Sequence, residues 1–368
     1  MQEKVKILAI NPGSTSTKVA VFELDIHAKD SNKEIISLFS KNIKHSLEQI
    51  NKFARIVDQY KWRKENILEA LIENNINLKD IKYVIGRGGL VKSISSGIFK
   101  VNEAMKHDLL IGYAGEHACN LGGLIAEDLA CNLNVEAYIA DPVVVDEMIP
   151  IAKVAGHPYF QRKPIFHALN QKAIARIYAR QIEKKYEDLN LIVAHMGGGI
   201  SIGVHAKGLV IDVNQALNGE GPFSPERSGS LPVIDVIKAC FSGKFTQEEL
   251  NKMIVGKGGY VAYLGTNDAL EIENRMKNGD KDADFYHAAM AYQIAKEIGA
   301  ASTVLEGKVD AILLTGGLAY DKFFIERISS KIKHLGSIHT FPGEDEMNAL
   351  AFNVFLMLKG EIPLKEYK

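Results

Sequence analysis

Asn11, Ser14, Ser16 and Lys18 fall within one short stretch, NPGSTSTK, where amide, hydroxyl and ammonium groups surround a glycine. Such groups hydrogen-bond phosphate oxygens, and glycine lets the backbone come close to them. The plain alternative is a polar hairpin turn, with Lys18 an outward lysine at a strand start. The stretch is not a Walker loop, because Thr17 stands where that motif needs a second glycine, and VAVFEL after Lys18 reads as a strand. A second glycine turn, Gly197, Gly198 and Gly199 in AHMGGGIS, follows His195 at the end of an apolar run. An imidazole there can hydrogen-bond a phosphoryl oxygen. Arg87 in GRGG and Arg227 in ERSGS offer planar guanidinium forks that suit carboxylate or phosphate. His167 in PIFHALN opens a helix, where the dipole favours an anion, whereas His117 in GEHACN reads equally as helix surface or site rim. Asp141 closes VEAYIAD, and Glu346 lies in PGEDEMNALA beside Glu344 and Asp345. Acidic residues in such places are commonly caps; two carboxylates converging on a phosphate cleft would instead hold Mg²⁺. Gly265 and Asn267 in GKGGYVAYLGTND, and Gly316 and Gly317 in LLTGGLA, suit a flat base or a ribose, against an ordinary strand–helix turn.

The elements that must position these groups follow from periodicity. VKILAIN, TKVAVFEL and IISLFSKNIK read as three successive strands, followed by an amphipathic helix over Lys52 to Glu73. IKYVIGRGG and SGIFKVN are strands, EHACNLGGLIAEDLACNL a helix, and VEAYIAD a strand that delivers Asp141. The pattern then restarts. After the helix LNQKAIARIYARQIEKKYE comes LNLIVAHMGGGISIGVHAKGLVIDVN, again strand, glycine turn, strand, turn, strand. VDAILLTGGLAYDKFFIERI adds strand, paired glycine and helix. The repeat predicts two related domains whose glycine turns face one another across a cleft and grip one anion.

With 368 residues the chain exceeds one ordinary core, so two domains are expected. Its 44 basic and 45 acidic residues leave a net charge of -1, which points to neither nucleic acid nor an anionic membrane. Three cysteines, Cys119, Cys131 and Cys240, form no CxxC pair and predict a reducing cytoplasm. MQEKVKILAIN lacks the pattern of a signal peptide. ALAFNVFLMLKG is well short of the roughly 20 apolar residues that a membrane crossing needs, and reads as a buried helix.

NPGSTSTK, GRGG, FHALNQK, AHMGGGIS, ERSGSLP, LLTGG and PGEDEMNALA occur in the order found in the short-chain carboxylate kinases, which the chain resembles from Ile7 to about Leu358. Those enzymes are grouped with sugar kinases, actin and heat-shock ATPases. The resemblance implies an α/β fold of duplicated actin-like (ribonuclease H-like) domains, each a mixed five-stranded sheet flanked by helices, with the active site in the interdomain cleft. The implied lobes are 1–165 plus 347–368, carrying the acceptor side and the first phosphate loop, and 166–346, carrying the second loop and the adenosine site. The implied reaction moves the γ-phosphoryl of ATP to the carboxylate of butyrate or a similar short or branched acid, reversibly, with ATP/ADP and Mg²⁺. Arg87, Asp141, His195 and Arg227 would be catalytic; Asn11, Ser14, Ser16, Lys18, His167 and Gly197 to Gly199 would bind phosphate. Gly265, Asn267, Gly316 and Gly317 would bind the nucleotide, and Asn11, Asp141 and Glu346 the metal. A homo-oligomer is implied as well. Where acetate kinases carry a second histidine after FHG this chain has Gln171, and the turn after Arg87 is shorter; both favour the butyrate branch over an acetate or propionate kinase. A nucleotide-switched non-kinase of the same fold would need neither arginine, and this chain has both.

Overall fold

β-Branched and apolar runs interrupted by glycine turns yield twelve strands among the described residues, 4–28 and 34–368 of this computed structural model. The first three residues of the N-terminal segment lie outside that range. In chain order the strands are β1 (Val5–Pro12), β2 (Ser16–Leu24), β3 (Ile35–Lys44), β4 (Ile81–Arg87), β5 (Ile98–Lys100) and β6 (Glu136–Ala140). They continue as β7 (Asn190–Met196), β8 (Ile200–Ala206), β9 (Leu209–Val213), β10 (Ala311–Gly316), β11 (Ser337–Pro342) and β12 (Leu364–Glu366). The chain divides into two units, Met1–Val145 with Asp345–Lys368, and Asp146–Glu344. Residues 146–165 therefore group with the second unit: Lys153 pairs with Asp146 at 2.6 Å, and Ile149 donates its N–H to Ile211 O at 3.0 Å.

The repeat seen in the sequence is a repeat of topology. In the first unit β1 pairs antiparallel with β2, β2 antiparallel with β3, β1 parallel with β4, and β4 parallel with β6. In the second, β7, β8, β9, β10 and β11 take the same places in the same senses. The second sheet has the expected five strands in the order β11-β10-β7-β8-β9, but the first has seven, β12-β5-β6-β4-β1-β2-β3. One extra strand, β5, pairs antiparallel with β6, and the other, β12, is added because the C-terminal tail is anchored. Tyr367 is buried, donates its hydroxyl to Asp108 at 2.6 Å and accepts the Lys92 N–H at 3.0 Å. That holds β12 parallel to β5.

Alternation along the strands decides which side chains meet which helix. Ile192, Ala194 and Met196 share one face with Ile312 and Leu314, covered by the long helix Lys281–Val304. Leu191 and Val193 share the other with Leu313, covered by the helix Ala168–Gln181. The helix expected over Lys52 to Glu73 starts only at Tyr60. Asp58 accepts the Arg55 N–H at 3.1 Å and closes a tight turn over Ile56–Gln59, which keeps Phe53 off the helix. The helix Asn120–Leu133 crosses β4 backbone against backbone: a Cβ on Gly86 would overlap the Gly122 carbonyl, and one on Gly122 the Arg87 carbonyl. Among the described residues no helix is long and apolar enough to cross a membrane.

Candidate active site

In the first unit three parallel strands end together, because Ile10 lies opposite Gly86 and Arg87 opposite Ala140. Asn11, Arg87 and Asp141 are the residues delivered at those ends. Arg87 Nη1 donates to Glu346 Oε2 at 2.9 Å, and Asn11 Nδ2 donates to the same oxygen at 2.5 Å. Glu346 opens the helix Glu346–Leu358, whose cap is Asp345, accepting the Asn348 N–H at 3.0 Å. Lys18 lies directly opposite Asn11 in the β1–β2 ladder, and so on the same sheet face, with its side chain exposed. Ser14 lies in the connecting turn and Ser16 opens β2, with the Gly13 N–H donating to Ser16 O at 2.7 Å. Asp141 is gripped by the segment that leads into β5. Its Oδ1 accepts the Ser96 hydroxyl at 2.6 Å and the Gly97 N–H at 2.8 Å, and its own φ is 38°. His117 is exposed and caps a local turn, accepting the Cys119 N–H at 3.2 Å.

In the second unit His195 is odd-numbered like Leu191 and Val193, so it faces the helix Ala168–Gln181, and its Nδ1 lies 2.8 Å from Asn170 Oδ1. Its Nε2 is 3.0 Å from Glu344 Oε1 but is not aligned for a hydrogen bond. His167 caps that helix and stacks on His195 with ring centroids 3.8 Å apart. A chain of buried groups stands behind His167. Gln171 spends its amide N–H groups on Ser201 O at 3.0 Å and Ser201 Oγ at 2.8 Å, so its Oε1 accepts from His205 Nε2 at 3.0 Å. Ser201 Oγ in turn lies 2.9 Å from His167 Nδ1. Gln171 therefore supports His167 from behind. The β7–β8 turn is glycine for close approach: a Cβ on Gly197 would overlap Glu344 Oε1, and one on Gly199 would overlap Arg227 Nη1. Arg227 donates Nη1 to Ala216 O at 2.6 Å, and its buried Nε has no hydrogen-bond partner among the described residues. Burial lowers the Arg227 pKa, though Glu226 works against this. Gly316, with φ 93°, sits against the Met196 backbone, where a Cβ would overlap, whereas Gly317 and Gly265 face open space. Asn267 donates to Glu226 Oε2 at 3.3 Å.

The expected metal set of Asn11, Asp141 and Glu346 does not form a ready cage. Glu346 is engaged by Arg87 and Asn11, Asp141 by Ser96 and Gly97, and no three His, Cys, Asp or Glu side chains converge among the described residues. Mg²⁺ needs near-octahedral oxygen ligands and commonly keeps waters while riding on substrate phosphates. The donor set here fits an ion of that kind, carried by a nucleotide, and the orphaned Arg227 Nε fits an anionic oxygen.

Sequence reasoning missed Arg63 and Glu344. Arg63, in the helix Tyr60–Glu73, is 1% exposed and grips the first turn from below. Its signal was available, since it holds the i position of a stripe whose other members are Ile67, Ala70 and Leu71. Glu344 was named only as a neighbour of Glu346.

Two sheets of one topology, each with a strand–turn–strand loop beside a guanidinium, are the duplicated actin-like ATPase fold. An acetate kinase from Porphyromonas gingivalis matches 96% of this chain and 100% of its own with a TM-score of 0.72 at 17% identity. A propionate kinase from Francisella tularensis matches 95% of this chain and 98% of its own at 0.71 and 19%. The model of the acetokinase family matches residues 150–350. Butyrate kinase 2 of Clostridium acetobutylicum is 53% identical over 365 residues, 99% of this chain and 100% of that one. The chain belongs to the acetokinase family and is a carboxylate kinase.

Proposed function

We propose that the protein transfers the γ-phosphoryl of ATP to the carboxylate of butyrate, or of a similar short or branched acid, giving an acyl phosphate and ADP, and that it runs readily in reverse. The similarity to a butyrate kinase over the full chain supports this substrate class. The observation that carries the residue roles is the joint delivery of Asn11 and Arg87 to Glu346 at neighbouring strand ends. A carboxylate nucleophile is already ionised at neutral pH, so the reaction needs alignment and charge neutralisation rather than a base. Arg87 receives the acid's carboxylate. Asn11, Ser14, Ser16 and Lys18 hold phosphoryl oxygens through amide, hydroxyl and ammonium donors. Arg227, with its unsatisfied Nε, and His195 stabilise the transferring group, and His167 adds a supporting phosphate contact. The turn Gly197 to Gly199 lets the backbone approach the nucleotide phosphates, and Gly265, Asn267, Gly316 and Gly317 lie along the adenosine. Asn11, Asp141 and Glu346 are the residues that would hold a Mg²⁺ ion, which when bound would supply positive charge to the phosphates. The free thiols of Cys131 and Cys240, both exposed, support a cytoplasmic setting. The exposed apolar residues Val233, Ile234 and Phe241 support assembly into a homo-oligomer.

A panel of acetate, propionate, butyrate and isobutyrate, with hydroxylamine trapping of the acyl phosphate, tests the reading. The highest kcat/KM is expected with a four-carbon acid. Preference for acetate or propionate would overturn the substrate, and nucleotide binding without any acyl phosphate would overturn the reaction.

A further inference from the structure

Arg63 is the largest fully buried side chain among the described residues, yet it has no carboxylate partner there. Nη1 donates to Gly13 O at 2.7 Å, Ser16 O at 3.1 Å and Thr17 Oγ1 at 3.2 Å. Nη2 donates to Ser14 O at 3.1 Å, and Nη2 and Nε both reach Gln59 Oε1, at 2.8 and 3.1 Å. Every acceptor is neutral. Burial pulls its pKa down to about 10, which still leaves it charged at neutral pH. His45, buried nearby against Thr17, is pushed down to about 4 by burial and by Arg63, and contributes no charge of either sign at neutral pH.

A buried guanidinium without a counter-ion is costly, and a hydrophobic residue on this helix stripe would avoid the cost. What the arrangement provides is an oriented turn. A trans peptide points its C=O and N–H in opposite directions. With the Gly13 and Ser14 carbonyls drawn toward Arg63, the N–H groups of Ser14 and Thr15 aim away from it, as paired donors of the kind that cup an anion. The same guanidinium places one unneutralised positive charge directly beneath them.

We infer that Arg63 is the positioning residue of the first phosphate turn, fixing its peptide dipoles and supplying a buried positive charge that the transferring phosphoryl group feels through the turn. The inference deepens the kinase reading above and rests on it for the identity of the anion. It separates into shape, which the fork provides, and charge, which the missing counter-ion leaves uncancelled.

Gln59→Glu distinguishes the two. Gln59 is buried and already accepts from two Arg63 nitrogens, so a carboxylate of the same shape would keep the turn in place while neutralising the charge. Inorganic phosphate affinity is measured by calorimetry, together with kcat, the ADP dissociation constant and the urea midpoint. The Gln59→Glu protein should be at least as stable as the parent, bind phosphate about fivefold or more weakly, lose about tenfold or more in kcat, and keep its ADP affinity. Arg63→Lys should retain most of the phosphate affinity while losing kcat, because the charge stays and the fork is lost. Parent-like phosphate affinity and kcat in Gln59→Glu would overturn the inference, as would Arg63→Lys with both at parent level. Failure of the kinase reading would appear separately, as an unsubstituted protein that forms no acyl phosphate while the phosphate affinities still differ between variants.

Discussion

On the proposed reading, replacing Arg87 by glutamine removes a charge that two carboxylates compete for, that of the incoming acid and that of Glu346. The effect on stability follows from exposure. The Arg87 and Glu346 side chains are 22% and 12% exposed and 2.9 Å apart. A fully exposed pair contributes at most ~1 kcal/mol, whereas breaking a buried one costs ~3–5 kcal/mol; this half-buried pair lies between, at about 2 kcal/mol. The effect on turnover is larger. The acid loses a charge-assisted hydrogen bond of ~1.5–3 kcal/mol and then meets an unneutralised Glu346, for a combined ~3–5 kcal/mol, or about 10²- to 10⁴-fold in kcat/KM. Hydroxylamine trapping reads the turnover, and calorimetry reads the ATP affinity, which should stay within a few-fold of the parent. Adding Glu346→Gln to Arg87→Gln should restore most of the urea midpoint but not the acid's carboxylate partner, so turnover stays low. An Arg87→Gln enzyme with more than a tenth of parental kcat/KM for the acid, or one that loses ATP affinity in proportion, would refute the assignment of Arg87 to the acid.

Gly199→Ala puts a methyl into the Arg227 guanidinium. Such overpacking costs ~1–3 kcal/mol, and kcat should fall at least about tenfold in a protein whose circular dichroism is unchanged. His45 is held at about 4, below its ordinary value of ~6.5, first by burial and then by Arg63. The unfolded chain therefore takes up that proton first, and the stability present above pH ~6.5 is lost as pH falls toward 4. His205, lowered by its burial, acts in the same direction. The urea midpoint should drop between pH 7 and pH 5, and His45→Gln should reduce that drop. Burial lifts the Cys119 thiol to about 11, so iodoacetamide at pH 7.5 should label Cys131 and Cys240 in the folded protein and reach Cys119 only in denaturant, as read by peptide mass spectrometry.

Much of this site was legible because its residues stand where strands stop. A β-strand buried on both faces reads as an uninterrupted apolar run, so the polar residue that ends it is conspicuous; Asn11, Arg87, Asp141 and His195 were all found that way. What such a pattern cannot supply is the direction of a side chain. Asp141 has φ 38°, and its carboxylate turns to Ser96 and Gly97, a pairing 45 residues away in sequence for Ser96 that no local spacing encodes. Glu344 and Glu346 are two residues apart, yet one lies beside His195 and the other accepts from Arg87, because Asp345 between them caps a helix and turns the chain. β12 escaped the sequence reading for another reason. Its three residues carry no periodicity, and Tyr367 holds them in the sheet through Asp108 and Lys92.

The repeat of topology makes the two glycine turns equivalent, and the difference between them is therefore informative. Each turn joins the first strand of its unit to the second, β1 to β2 and β7 to β8, and each meets an arginine from the segment after the third strand of its unit. In the first unit that arginine lies under the turn, its donors spent on carbonyls and on Gln59. In the second it lies against Gly199, gives one donor to Ala216 and keeps a buried Nε unsatisfied. Burial lowers the pKa of both, so neither position favours a cation for stability alone. The same place in the fold is thus used in two ways. On the proposed reading, one arginine acts on phosphate through the peptides it orients, and the other has a donor to give directly. On this account, substitutions under the first turn change how well an anion is received, whereas substitutions at Arg227 remove a contact with it.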